Sequence, residues 1–164
     1  MEAKGPFAHI ETDIEEFAKV LTKDLSPETF TIIKTTPFPG GFAGTVIKLI
    51  PAKKECASIW LSAVNGDGGV DAEFGQGTKW EVSFTGQSYS GVETIVNNLL
   101  GKACAAVIRG MFTESLWNKD GAIVRNIGDI TIEGKRIRSR RMQIGGLLFF
   151  WLNDHWIQKY DAWV

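Results

Sequence analysis

The chain has 164 residues, 44% of them hydrophobic and 23% charged, the proportions of an ordinary globular domain rather than of a disordered or fibrous chain. Its formal net charge of −1 excludes a strong pull by the whole molecule on nucleic acid or anionic membrane. No uninterrupted apolar run nears the ~18 residues of a spanning helix, and the opening "MEAKGPFAHIETD" lacks the apolar stretch of a signal peptide. A cytoplasmic α+β domain over residues 1–164, with no membrane association, is the expectation.

The first element is a short helix over about 12–25. Thr12 and Glu15 have capping-box spacing, and Ile10, Ile14, Phe17 and Leu21 recur on one face. From 29 to 84 the period becomes twofold. "TFTIIKTT", "FAGTVIKLI", "CASIWLSAV", "VDAEF" and "KWEVSF" are rich in β-branched and aromatic residues, and Gly, Pro or Asn/Asp clusters close them. In the last of these, Trp80, Val82 and Phe84 face one way and Lys79, Glu81 and Ser83 the other. An antiparallel meander of about five strands follows.

Residues 90–117 read as one long helix. Ser90 and Glu93 repeat the capping-box spacing, and Val92, Ile95, Val96, Leu99, Ala103, Val107 and Met111 trace an apolar stripe that ends at "NKDG". Strands resume in "AIVRNI", "DITIEG" and "KRIRSRRMQI". The final "LLFFWLNDHWIQKYDAWV" reads as a hairpin turning at Asn153-Asp154. A helix from about 147 competes with it, because Leu148, Trp151, Leu152 and His155 also fit helical spacing. The architecture expected is α+β: a mostly antiparallel sheet of about eight strands packed on one long helix and one short one.

"EFGQGTKWEVSF", residues 73–84, mimics the joining strand of an antibody domain. The paired cysteines and the Tyr-x-Cys that such a domain needs are missing. Gly75 and Gly77 instead mark a bent hairpin.

Linear catalytic and metal motifs fail one by one. Gly86 and Gly91 have P-loop spacing, but Val92 and Glu93 stand where Lys and Ser/Thr are needed. "NGDGGVDAE" spaces Asn65, Asp67, Asp71 and Glu73 like a calcium loop, yet Val70 and Gln76 occupy its obligatory Gly and Glu positions. His9 and His155 are far apart, and Cys56 and Cys104 form no zinc spacing; both thiols read as small buried hydrophobes of a reducing compartment. No cofactor or metal is implied. An enzyme reading survives only as a site assembled by folding from Asp71, Glu73 and His155.

The strongest anomaly is "KRIRSRR", residues 135–141, with Lys135, Arg136, Arg138, Arg140 and Arg141. Without these five the chain holds 13 basic against 19 acidic residues, so charge is segregated. On a strand, Arg136, Arg138 and Arg140 form a comb with teeth ~7 Å apart, fit to pair with carboxylates or phosphates. An edge strand guarded by charge is the plainer alternative. Trp156 and Trp163 follow closely, and Trp with Arg anchors many protein interfaces. The expectation is a non-enzymatic inhibitor or immunity-type protein that occludes a protein partner through Arg136, Arg138, Arg140, Arg141, Trp156 and Trp163. A nucleic-acid-binding module using the same comb is the alternative.

Overall fold

The computed structural model describes residues 9–35, 43–64, 68–84, 89–142 and 154–164, with the side chains of 43–44, 64 and 140–142 outside that description. The architecture is α+β and wholly antiparallel: three α-helices, one short 3-10 turn (Pro27–Thr29) and two sheets among the described residues, where the sequence suggests one sheet. The first sheet has strands β1 (Phe30–Thr35), β2 (Ala43–Pro51), β3 (Ile59–Val64), β4 (Gly69–Phe74) and β5 (Thr78–Ser83), side by side in chain order. The second holds β6 (Phe112–Lys119), β7 (Ala122–Ile132), β8 (Lys135–Met142) and β9 (Asp154–Lys159), in the order β8-β7-β6-β9. The two sheets meet where the Ser139 hydroxyl of β8 donates to the Lys79 carbonyl of β5.

Helix α1 spans Ile10–Thr22. It begins two residues before Thr12, because Ile10 belongs to the buried stripe Ile10, Ile14, Phe17 and Ala18, and no side chain caps its start. It stops at Thr22, whose hydroxyl turns back to the Ala18 carbonyl at 2.9 Å. Its apolar face and the inward residues of β2–β4 (Ile47, Leu49, Ile59, Leu61, Val70 and Phe74) belong to one core cluster.

The long helix expected over 90–117 is not formed. Two shorter helices take its first part, α2 (Val92–Asn97) and α3 (Leu99–Ile108). Between them Asn98 is extended, with ψ of 163°, and its side chain caps α3 by accepting from Leu100 N. Beyond α3 the chain turns at Gly110, whose φ is +72° and whose missing side chain makes room for the backbone of Ala162. From there burial alternates: Phe112, Glu114 and Leu116 face inward along β6. Met111, which fits the helical stripe, is half exposed. A twofold pattern had been hidden by a coincidental fourfold one.

Two tight turns then fix the second sheet. Asp120-Gly121 and Glu133-Gly134 all have positive φ and each closes a two-residue hairpin between directly paired ends, the geometry that matches strand twist. "AIVRNI" and "DITIEG" are therefore one continuous strand, and Gly128 inside it allows Thr78 of the first sheet to press against its backbone. Residues 154–159 are strand rather than helix, antiparallel to β6. The proposed turn at Asn153 lies outside the described residues. After β9 the chain docks into the core: Trp163 is fully buried, and its Nε1 donates to the Ala57 carbonyl at 3.0 Å. None of the helices among the described residues is long and apolar enough to cross a membrane.

Candidate functional site: the outer face of the four-stranded sheet

Residues directly opposite in an antiparallel pair share a face, so the register lays this surface out in rows. Arg136 stands beside Thr131; Arg138 lies opposite Asp129, then Thr113, then Lys159; Arg140 opposite Ile127, Ser115 and Ile157; and Arg125 opposite Trp117 and His155. The reverse face carries Phe112, Glu114, Ile130 and Ile132 into the core. The comb is thus real as a backbone arrangement, and it lies across the sheet from Lys159 and Ile157.

Its guanidinium groups are not free-standing. Asp129, only 7% exposed, accepts from Arg136 Nη2 at 2.6 Å, from Arg138 Nε at 2.8 Å and from Arg138 Nη2 at 3.3 Å. Burial alone would raise the Asp129 carboxyl, but hydrogen bonds from Arg136 and Arg138, with their charges, hold it below the ordinary carboxylate value. One carboxylate therefore sets the direction of two guanidiniums. Both side chains remain substantially exposed, and most of their N–H donors point to no acceptor in this cluster.

The aromatic next to the comb is not the one the sequence suggests. Trp117 is nearly buried between its strand neighbours: the His155 ring stacks on it at 4.4 Å with planes 19° apart, and the Arg125 guanidinium lies 4.6 Å from its ring centre. This makes a stiff cation–π layer. Trp156 and Arg141 sit in a different row, with Leu116 and Asn126, on the reverse side of the sheet from Arg136, Arg138 and Arg140. Trp163 is core, so it is unavailable to fill a partner's pocket.

Among the described residues, five cationic positions (Arg125, Arg136, Arg138 and Lys159, with Arg140 placed by backbone register alone) thus share a face with one acid, Asp129. Since the whole chain sums to −1, the remainder carries about −5. Arg125, Asp129, Trp117 and Lys159 were missed in the sequence. The available signal was the alternation Arg125, Ile127, Asp129, Thr131, which becomes visible only once 122–132 is taken as one strand.

The alternative enzyme trio is not brought together as a unit. Asp71 and Glu73 lie on the outward side of β4, in the first sheet, with Asp71 facing Glu81. Burial, and secondarily the Glu81 charge, raise the Asp71 carboxyl. His155 is in the second sheet, stacked on Trp117. Among the described residues no group of three His, Cys, Asp or Glu could hold a metal ion. Asn65 and Asp67 of the calcium-like loop lie outside the described residues. Both cysteines are buried free thiols. Among the described residues the one fully buried carboxylate is Glu114, saturated by Gln76 N, Thr78 N, Thr78 Oγ1 and Tyr160 Oη at 2.6–3.2 Å, a structural clasp.

No protein-family model matches this chain, and neither does any curated protein or solved structure.

Proposed function

We propose that this chain is a non-enzymatic, cytoplasmic binding protein of the inhibitor or immunity type, which covers an acidic surface of a protein partner with the outer face of its four-stranded sheet. The observation that carries this reading is the five-to-one excess of cationic residues on that face of a chain whose total charge is −1. Arg136 and Arg138, aimed by Asp129, offer their remaining donors to partner carboxylates, where paired N–H groups match the carboxylate fork. Ile157, 62% exposed beside Lys159, supplies apolar contact in the same footprint. Arginine orientation is fixed before the encounter, so less side-chain entropy is lost on binding.

A protein partner is preferred to nucleic acid for two reasons. The remaining −5 would repel a phosphate chain running beyond the footprint. Trp117, covered by His155 and Arg125, offers no open indole on which a base could stack.

The test is affinity capture from native lysate, before and after nuclease, with the wild-type chain and with an Asp129→Asn/Arg136→Glu/Arg138→Glu variant. Asp129→Asn is included so that the reversal strands no third carboxylate beneath two new ones. A protein held by the wild type after nuclease and lost from the variant is expected. Retention of the same protein by the variant, or capture that nuclease abolishes, would refute the reading.

A further inference from the structure

Where the cationic sheet face ends at Thr131, α1, α3 and the end of β7 enclose a half-open cleft of about 350 Å³. Phe17, Leu21, Ala106 and Ile132 line it as an apolar floor. Four charged residues stand around it: Asp24 after α1, Lys102 and Arg109 from α3 and its cap, and Glu133 from the turn after β7. Two of them satisfy each other, since Lys102 Nζ meets Glu133 Oε1 at 2.7 Å. Asp24 and Arg109 are exposed and have no side-chain partner among the described residues. One unpaired acid and one unpaired base therefore share a cleft with a greasy base.

That combination discriminates between ligand classes. An uncharged apolar ligand would strip water from both charges and return nothing. A plain carboxylate would meet Arg109 but bring its charge towards Asp24. A ligand carrying both signs answers both, and its apolar part can cover Leu21 and Met111, the accessible apolar residues of the lining. The volume suits a small molecule, at the lower end of the roughly 300–1,000 Å³ usual for ligand sites. We propose that this cleft binds a small zwitterion with an apolar body, of the class of apolar α- or ω-amino acids, with its ammonium on Asp24 and its carboxylate on Arg109. The cleft borders the partner-binding face at Thr131, but the proposal does not rest on that reading.

Calorimetric titration with L-leucine, L-phenylalanine and 6-aminohexanoate tests it, the three probes differing in apolar body and in charge separation. N-acetyl-leucine methyl ester serves as the control that keeps an apolar body and loses both charges. Saturable binding of at least one zwitterion, and none of the ester, is expected. Arg109→Gln and Asp24→Asn, both exposed positions that leave the fold intact, should each weaken that binding by about tenfold or more. Absence of saturable heat with all three probes up to about 10 mM would overturn the proposal, as would ester binding of equal strength. Sensitivity to Arg109→Gln alone would overturn it in favour of a simple carboxylate.

Discussion

At the scale of single residues, the stretch "FGQGT" is explained by a carboxylate that lies far away in sequence. Gly75 (φ +56°) and Gly77 (φ +112°) turn the chain so that Gln76 and Thr78 donate into Glu114. A side chain at 75 would place its Cβ 2.5 Å from Glu114 Oε2 and 2.6 Å from Tyr160 Oη. Gly75→Ala should therefore cost about 3 kcal/mol in chemical denaturation, from left-handed backbone strain plus displaced buried hydrogen bonds. The bend was legible from the glycines themselves. Its purpose was not, because a glutamate among polar neighbours reads as a wet residue, and its donors sit some 36 to 46 positions away.

The two tyrosines carry a pH consequence. Burial, followed by the charge and hydrogen bonding of Glu114, raises Tyr160 well above its ordinary value; burial, followed by the hydrogen bond to Asp13, does the same for Tyr89. Since the folded values lie above the unfolded one near 10, the unfolded chain loses these protons first. Their contribution to stability is whole below pH ~10 and drains away as pH rises beyond it. Spectrophotometric titration should show no tyrosinate in the folded protein at pH ~10.5, with phenolate absorbance rising only as the fold is lost. A normal titration near pH 10 in the native state would contradict this placement of both phenols.

Among the elements, strands were easier to read than helices. β5 behaves as its alternation says, with Lys79, Glu81 and Ser83 exposed and Phe84, which follows it, buried. The N-terminal helix follows its apolar stripe rather than its capping signal. The failure lay at 90–117, where Val107 and Met111 continue a helical spacing that the chain abandons. Gly110 and Asn98 were the local clues; neither outweighs a seven-residue stripe when tertiary partners are unseen. Gly110 is needed because the C-terminal segment packs on its backbone, a contact across some fifty residues that local sequence does not announce. Asn98 caps α3 at the break, so Asn98→Ala should lower stability by about 1 kcal/mol in urea unfolding. An unchanged midpoint would mean that the cap carries no weight.

For the molecule as a whole, the arginine comb was legible as a strand and as charge segregation, and its aromatic companions were misplaced. Register explains why: one residue's shift along β9 exchanges Trp156 for Ile157 on the outer face. The burial of Trp163 could not be read from a run of aromatics that suits core and surface equally. Pairing with the chain's own Asp129 also changes the character of the comb. Arg136 and Arg138 with Asp129 sum to one positive charge, and the face owes the rest of its excess to Arg125, Arg140 and Lys159. Attraction is thus spread over three strands, β7, β8 and β9, as an interface footprint requires, rather than along one rail as a phosphate chain would prefer.

The most direct measurement is the affinity of the purified chain for a polyglutamate peptide and for a single-stranded oligothymidylate of equal charge, compared with the Asp129→Asn/Arg136→Glu/Arg138→Glu variant of verified fold. Tighter binding of the carboxylate polymer by the wild type, weakened about a hundredfold in the variant, is the predicted result. Equal affinity in the two proteins, or a clear preference for the phosphate strand, would contradict it.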